Sequence, residues 1–371
     1  MKQEQAWYLL PDEAHIETPS LIFYEERLKA NINLLKSMID CVERLRPHVK
    51  TYKCREITRL LISAGIKKFK CATIAEAEML AMDKAPDVLL AYQPVAENIN
   101  RFFKLKSKYP DTVFSCLVDH LKIAEQLSAM AIEEQTEVDV YIDLNVGMNR
   151  TGILPEQAFA LIESLQRFIS LKVKGLHAYD GHIHDGAIEV RKEKSAVVIK
   201  QLSDLREKLE AYLGNDINIV AGGTPTFPIY ASQTDFECSP GTFILWDKGY
   251  QDAYAEQPFY PAALVASRVV SLPDDGWICT DLGHKAVAAE KELKNRVFFI
   301  NAPFLEVQSQ SEEHLVLRNN TPETYLPGDM LYGLPYHVCP TVALHEKAIC
   351  LKVDQSLEYW EVISRKRKIS I

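Results

Sequence analysis

The residues best able to do chemistry fall in three short stretches. Near the end of the chain, His337 and Cys339 stand two apart in "HVCPT". Residues i and i+2 of a strand share a face, so an imidazole and a thiol could meet one metal ion there. Taken alone, the pair fits a half-buried strand with a small thiol in the core at least as well. In "RPHVKTYK", residues 46–53, Lys50 closes a β-rich run and Lys53 follows it. Two glycine-rich strand ends, "AGGTPT" at 221–226 and "SPGTF" at 239–243, have the composition of loops whose backbone N–H groups hold phosphate. An amine able to form a Schiff base, together with a phosphate cradle, is what pyridoxal phosphate requires.

These groups need a scaffold that brings them together. Between residues 45 and 245, β-rich runs alternate with helical patterns, and strands are expected at 45–50, 69–73, 87–92, 113–118, 138–146, 172–179, 217–223 and 236–243. The helices carry their own punctuation: Thr73 as an N-cap with a Glu three residues on, and Gly65 and Gly214 as closing residues. Eight such units predict a (β/α)8 TIM barrel. A doubly wound dinucleotide-binding sheet would show GxGxxG after its first strand, and "TYKCREI" there has no glycine. In a barrel, Lys50 sits at the C-terminal face that carries active sites, and the glycine-rich loops after strands seven and eight are the usual phosphate place. From about Ala262 the pattern turns to β-rich runs with turns, a smaller C-terminal β-domain that "PSLIFY" near the N-terminus joins. The expected division is 25–258 for the barrel and 1–24 plus 259–371 for the β-domain.

Composition excludes other classes. A net charge of −9 argues against a nucleic-acid surface, and the one basic run, Arg365 to Lys368, reads as a solvated terminus. No segment approaches 18 apolar residues, and the charged, proline-bearing N-terminal stretch lacks the apolar core of a signal peptide. The eight cysteines are scattered without a CxxC, as in a reducing compartment. A cytoplasmic protein without membrane or nucleic-acid partners is expected.

Six stretches in order, "RPHVKTYK", "VGMNRTGI" (146–153), "AGGTPT", "SPGTF", "DLGHKAV" (281–287) and "HVCPT", resemble the D-threonine aldolase and D-serine dehydratase family. That family is related to alanine racemase among the fold-type III pyridoxal phosphate enzymes. The resemblance implies an alanine-racemase-like barrel with a β-domain, a homodimer, pyridoxal 5'-phosphate and a divalent metal, zinc first and manganese as the alternative. Lys50 would hold the cofactor, Arg150 would lie beside its phenolic oxygen, and Tyr179 would approach its pyridine nitrogen. Gly222, Gly223, Thr224, Gly241 and Thr242 would hold the phosphate, and His337 and Cys339 the metal. Where relatives carry a histidine, this chain has Tyr52. In "HAYDGHIHD" either His182 or His184 would take the proton of a substrate hydroxyl, and spacing does not choose between them. The implied activity is a lyase acting on D-β-hydroxy amino acids, D-threonine aldolase-like, with D-serine dehydratase as the alternative. Racemisation and a non-catalytic pyridoxal phosphate carrier rank below both.

Overall fold

A computed structural model of the chain describes residues 6–11 and 13–371. Residues 1–5 and 12, part of the 1–24 segment assigned from sequence to the β-domain, lie outside the described residues. The chain divides into two compact units.

The first unit comprises Asn33–Lys50, Ile57–Gly241 and Lys366–Ile371. Its centre is a parallel sheet of seven strands in sequential order: Lys68–Cys71, Asp87–Leu90, Val113–Val118, Val138–Leu144, Leu171–Ala178, Asn218–Ala221 and Glu237–Cys238. Parallel strands covered on both faces read as continuous apolar runs, and Val88, Leu89 and Leu90 are all buried. Helices alternate with the strands. The helix Ile74–Met82 starts where Thr73 Oγ1 accepts from the Glu76 N–H at 3.1 Å, while the Glu76 carboxylate accepts from the Ala72 N–H at 2.6 Å. Both groups satisfy donors that a helix start leaves open.

The expected first strand, 45–50, is a correction. Pro47 has no N–H to give to a ladder, so this segment makes only bridges, Leu45 to Cys238 on one side and His48 to Lys70 on the other. The Arg46 N–H donates to Cys238 O at 2.9 Å, the His48 N–H to Pro240 O at 3.0 Å, and the Lys70 N–H to Pro47 O at 2.9 Å. Residues 45–48 thereby join the two edge strands and close the ring. Val49–Thr51 then turns as a 3-10 helix, so Lys50 sits in that turn and not at a strand end. The expected eighth strand shortens to Glu237–Cys238.

Arg46 is 1% exposed. It donates to Glu237 at 2.6 Å and to Asp87 at 2.6 Å, and Lys68 also pairs with Glu237. Asp87, Lys68 and Glu237 are each the first residue of their strands, so this network ties the N-terminal end of the sheet.

The second unit comprises the described residues up to Ile32, with Thr51–Glu56 and Thr242–Arg365. Its sheet runs Glu306–Gln310, Leu315–Arg318, Trp277–Thr280, Ala263–Ser271, Ser20–Tyr24, Lys347–Leu351 and Leu357–Glu361. The strand Met330–Pro335 also pairs with Ala263–Ser271 and carries Val297–Phe299 on its far side. Val265, Leu282, Leu315 and Leu331 form one buried cluster, and Ile22, Leu264, Tyr332 and Ile349 another. Among the described residues no helix is long and apolar enough to cross a membrane.

Candidate functional site

In the barrel unit, several residues expected to bind a cofactor gather around Tyr179, which follows directly on the strand Leu171–Ala178. Measured to the centre of its ring, Lys50 Nζ lies at 5.7 Å and Arg150 Cζ at 5.0 Å. A cation not anticipated from the sequence, Lys70, completes the group with its Nζ at 5.7 Å. Gly222, Gly223 and Thr224 are buried after the strand Asn218–Ala221. Gly222 has φ +73°, a conformation costly for any side chain, and a Cβ on Gly223 would lie 3.1 Å from the Tyr179 ring. Thr224 Oγ1 accepts from the Gly241 N–H at 3.0 Å, which joins the two glycine-rich loops. Beside them, Ser239 Oγ is buried with no protein partner. A lysine amine, an aromatic wall, a guanidinium and two joined loops with an unpartnered hydroxyl fit pyridoxal phosphate.

Against Tyr179 lies a buried polar cluster. Asp143 and His177 are register partners on neighbouring strands, and His177 Nδ1 is 2.7 Å from Asp143 Oδ1. Lys70 Nζ, from a strand on another part of the ring, is 3.4 Å from His177 Nε2. Burial, then the charge of Lys50, bring Lys70 down to about 7 against the pull of Asp180 and Asp143. His177 is lowered by burial and by Lys70 against the Asp143 hydrogen bond. Asp143 is held below its usual range; burial opposes this, and the His177 bond with Thr151 and Lys70 outweighs it. Asp180 accepts from Thr226 Oγ1 at 3.1 Å, and burial pushes its carboxyl up to about 6.

The two histidines that sequence left equivalent differ. His182 is half-buried against Gly147 of "VGMNRTGI", where a Cβ would approach its Nε2 to 2.5 Å and where φ of +125° favours glycine. Burial, then Lys194 and His184, lower its imidazole. His184 is exposed, and its Nδ1 lies 3.0 Å from the His182 carbonyl oxygen.

His337 and Cys339 belong to the β-rich unit, and the strand expected for "HVCPT" is a second correction. His337 is the N-cap of a helix, Val338–Leu344, and Cys339 lies in its first turn. The Val338 N–H donates to Asp247 Oδ2 at 3.0 Å. Cys339 Sγ donates to Thr51 Oγ1 at 3.3 Å and lies 3.8 Å from Thr242 Oγ1. Thr242, expected at the phosphate, therefore has its hydroxyl beside this thiol. Glu290 pairs with His337 Nδ1. Burial would lower the His337 imidazole, but Cys339, then Glu290 and Asp247, hold it up at about 9. Among the described residues no group of three or more His, Cys, Asp or Glu is placed to hold a metal. The His337 imidazole and the Cys339 thiol are hydrogen-bonded to each other, a mixed pair of donor types that suits zinc better than magnesium or calcium.

Residues 25–245 match the family of the alanine racemase N-terminal domain, and residues 262–351 match a putative serine dehydratase domain. The chain belongs to the alanine racemase N-terminal domain family. Members of this family depend on pyridoxal phosphate. A 3-hydroxy-D-aspartate aldolase of Paracoccus denitrificans is 32% identical over 373 residues, covering 95% of this chain and 93% of that one. A D-threonine aldolase of Arthrobacter sp is 24% identical over 364 residues, with 95% and 93% covered. The crystal structure of D-threonine aldolase from Filomicrobium marinum has the same fold, with a TM-score of 0.82 at 24% identity over 94% of this chain and 96% of that one.

Within this family fold, the Asp281 of "DLGHKAV" acts on structure: its carboxylate accepts from Ser267 Oγ at 2.8 Å and from the Arg268 N–H at 2.8 Å. Lys70 was the residue sequence reading passed over. The signal was there, since "FKCA" places a lysine between Phe69 and Cys71 inside a barrel strand, where an amine is rarely buried without a partner.

Proposed function

We propose that this chain is a pyridoxal phosphate- and metal-dependent lyase of D-β-hydroxy amino acids, D-threonine aldolase-like, cleaving its substrate to glycine and an aldehyde. The observation that carries the reading is the convergence of Lys50 and Arg150 on the Tyr179 ring beside the joined glycine loops. Bound there, pyridoxal phosphate withdraws electrons from the amino acid's Cα and weakens the bonds to that carbon.

The chain's own residues do the rest. Lys50 would hold the cofactor through its amine and, once the Cα–Cβ bond has broken, supply the proton that Cα gains in becoming glycine. Arg150 would lie beside the phenolic oxygen, and Tyr179 would offer the pyridine nitrogen a neutral partner. Gly222, Gly223, Thr224 and Gly241 would line the phosphate place, with the Ser239 hydroxyl as a donor to it. His182 takes the β-hydroxyl proton; its lowered imidazole is neutral and able to accept, and it packs on the same loop as Arg150, whereas His184 is turned to solvent. His337 and Cys339 hold the divalent metal, zinc with manganese as the alternative, which supplies Lewis acidity to the β-oxygen. In this reading residues 25–258 serve the cofactor and 1–24 with 259–371 the metal, and the working form is a cytoplasmic homodimer.

A second reading, dehydration of D-serine to pyruvate and ammonia, is favoured by the match of residues 262–351 to a putative serine dehydratase domain. Product analysis separates the two: glycine and acetaldehyde from D-threonine support the first, and pyruvate and ammonia from D-serine the second. Absence of both product pairs from protein supplied with pyridoxal phosphate and zinc contradicts the lyase reading. A chelator should stop turnover while the visible absorbance of the bound cofactor remains, because two protein donors release a metal without unfolding the chain. Full turnover in chelator, or in Cys339→Ala, would assign the pair to packing.

A further inference from the structure

The Lys70 cluster is built like a catalytic triad with an amine in the nucleophile's place. The Asp143 carboxylate accepts the His177 Nδ1 proton at 2.7 Å, which leaves Nε2 as a lone-pair acceptor for Lys70 Nζ at 3.4 Å. A carboxylate that fixes the tautomer of a histidine, which in turn orients a third group, is the general logic of such arrangements. Here the three residues come from three strands and are 2%, 5% and 4% exposed for Lys70, His177 and Asp143. Burying a lone amine inside a barrel is costly, yet this one is pinned with its Nζ as far from the Tyr179 ring centre as Lys50 Nζ is. Among the described residues no ion pair within hydrogen-bond distance neutralises it, in contrast to Arg46. The charged or titratable groups that act on it are Lys50 from the 3-10 turn, Asp180 from the loop after the Leu171–Ala178 strand, Asp143 and His177 from two strands, and Arg46 from the bridging segment.

We propose that Lys70, oriented by His177 and Asp143, is a positioning residue that sets the charge beside Tyr179 and Lys50, and through it the electronic state of the cofactor bound there. The inference rests on the pyridoxal phosphate reading of Lys50. Burial holds Lys70 below the ordinary lysine range, with Lys50 adding to this while its own amine is free, so the charge of Lys70 can change within an accessible pH range. Lys70 with three protons favours electron density on the Tyr179 oxygen and on any anion at the ring. The neutral amine removes that bias. The proton leaves to solvent, and no bond to the cofactor is made or broken.

The test is a pH titration of the visible absorbance of the pyridoxal phosphate-loaded protein, with no substrate present. Wild type should show a spectral step below the ordinary lysine range. Lys70→Met should lack it, Lys70→Arg should hold the low-pH spectrum across the range, and Asp143→Asn should move the step by about a pH unit. A wild-type step retained unchanged in Lys70→Met overturns the inference and assigns the titration to another group, Asp180 foremost. A wild type with a visible band but no step also overturns it. A wild type with no visible band at all contradicts the Lys50 reading instead, which keeps the two failures apart. If Lys70→Met does not take up cofactor, Lys70→Arg decides: a step that persists there contradicts the proposal, and a pinned spectrum supports it.

Discussion

The two ends of the barrel unit hold similar buried charges and use them in opposite ways. At the N-terminal ends of the strands, Arg46 and Lys68 meet Asp87 and Glu237, and every charge has an opposite one in hydrogen-bond reach. Although burial opposes it, pairing moves these groups away from neutrality: Arg46 is raised, and Glu237 falls below the usual carboxylate range. Toward the C-terminal ends, Lys70, His177 and Asp180 are only partly paired, and burial draws each toward its uncharged form, Lys70 to about 7 and Asp180 to about 6. Complete pairing fixes protonation and holds the fold together. Incomplete pairing leaves protons that can move in the range where an enzyme works. The division agrees with the general rule that barrels keep stability at one face and chemistry at the other.

The largest effect should come from breaking the complete network. Arg46→Ala leaves Glu237 with Lys68 as its remaining partner, and a loss of about 1.5–3 kcal/mol is expected for the charge-assisted hydrogen bonds removed, read as a lower urea midpoint. The acid limb sharpens the point. Glu237 sits below its ordinary value of 4.5 in the fold, so as pH falls through that region the unfolded chain takes up the proton first and wild type loses stability. Arg46→Ala should lose most of that acid dependence. An unchanged urea midpoint would mean the network is not what ties this end.

The opposite sign is expected at the other end. Lys70 lies near 7 in the fold against an ordinary 10.5, so between those values the unfolded chain binds a proton the folded one does not, and wild-type stability rises with pH. Lys70→Met, measured on cofactor-free protein, should be more stable than wild type by about 1–2 kcal/mol near pH 6, an advantage that shrinks as pH rises. A variant less stable than wild type at every pH would make Lys70 a structural anchor and erase the contrast. The smallest effect belongs to an exposed pair outside both clusters. Arg167 and Glu125 are 56% and 49% exposed, so Arg167→Ala should change stability by less than about 0.5 kcal/mol.

Much of the scaffold was legible because it is written in local rules. The Thr73 capping box, the Gly214 closure and the alternation of apolar strands with helices each depend on neighbours a few residues apart. The grouping of Lys50, Arg150 and Tyr179 was legible only through the resemblance of whole motifs. "HVCPT" was misread as strand because its apolar spacing suits either element. The overlooked signal was Pro340, which a helix accepts in its first turn because the missing N–H has no intrahelical partner there. Lys50 was misplaced for a related reason, since Pro47 thins the first strand to bridges. Lys70 was visible as a lysine within a barrel strand, but its grouping with His177 and Asp143 was not. His177 stands 107 residues from Lys70 and 34 from Asp143, and only the closure of the ring brings these strands to one interior.

The central claim is that the C-terminal end of the barrel holds pyridoxal phosphate through Lys50. Borohydride reduction of the cofactor-loaded protein, followed by peptide mass mapping, tests it most directly, because reduction locks the cofactor onto the lysine that carries it. The expected result is one added cofactor mass on Lys50, absent from Lys50→Ala. The mass on Lys53 or Lys70 in wild type, or none at all, would contradict it.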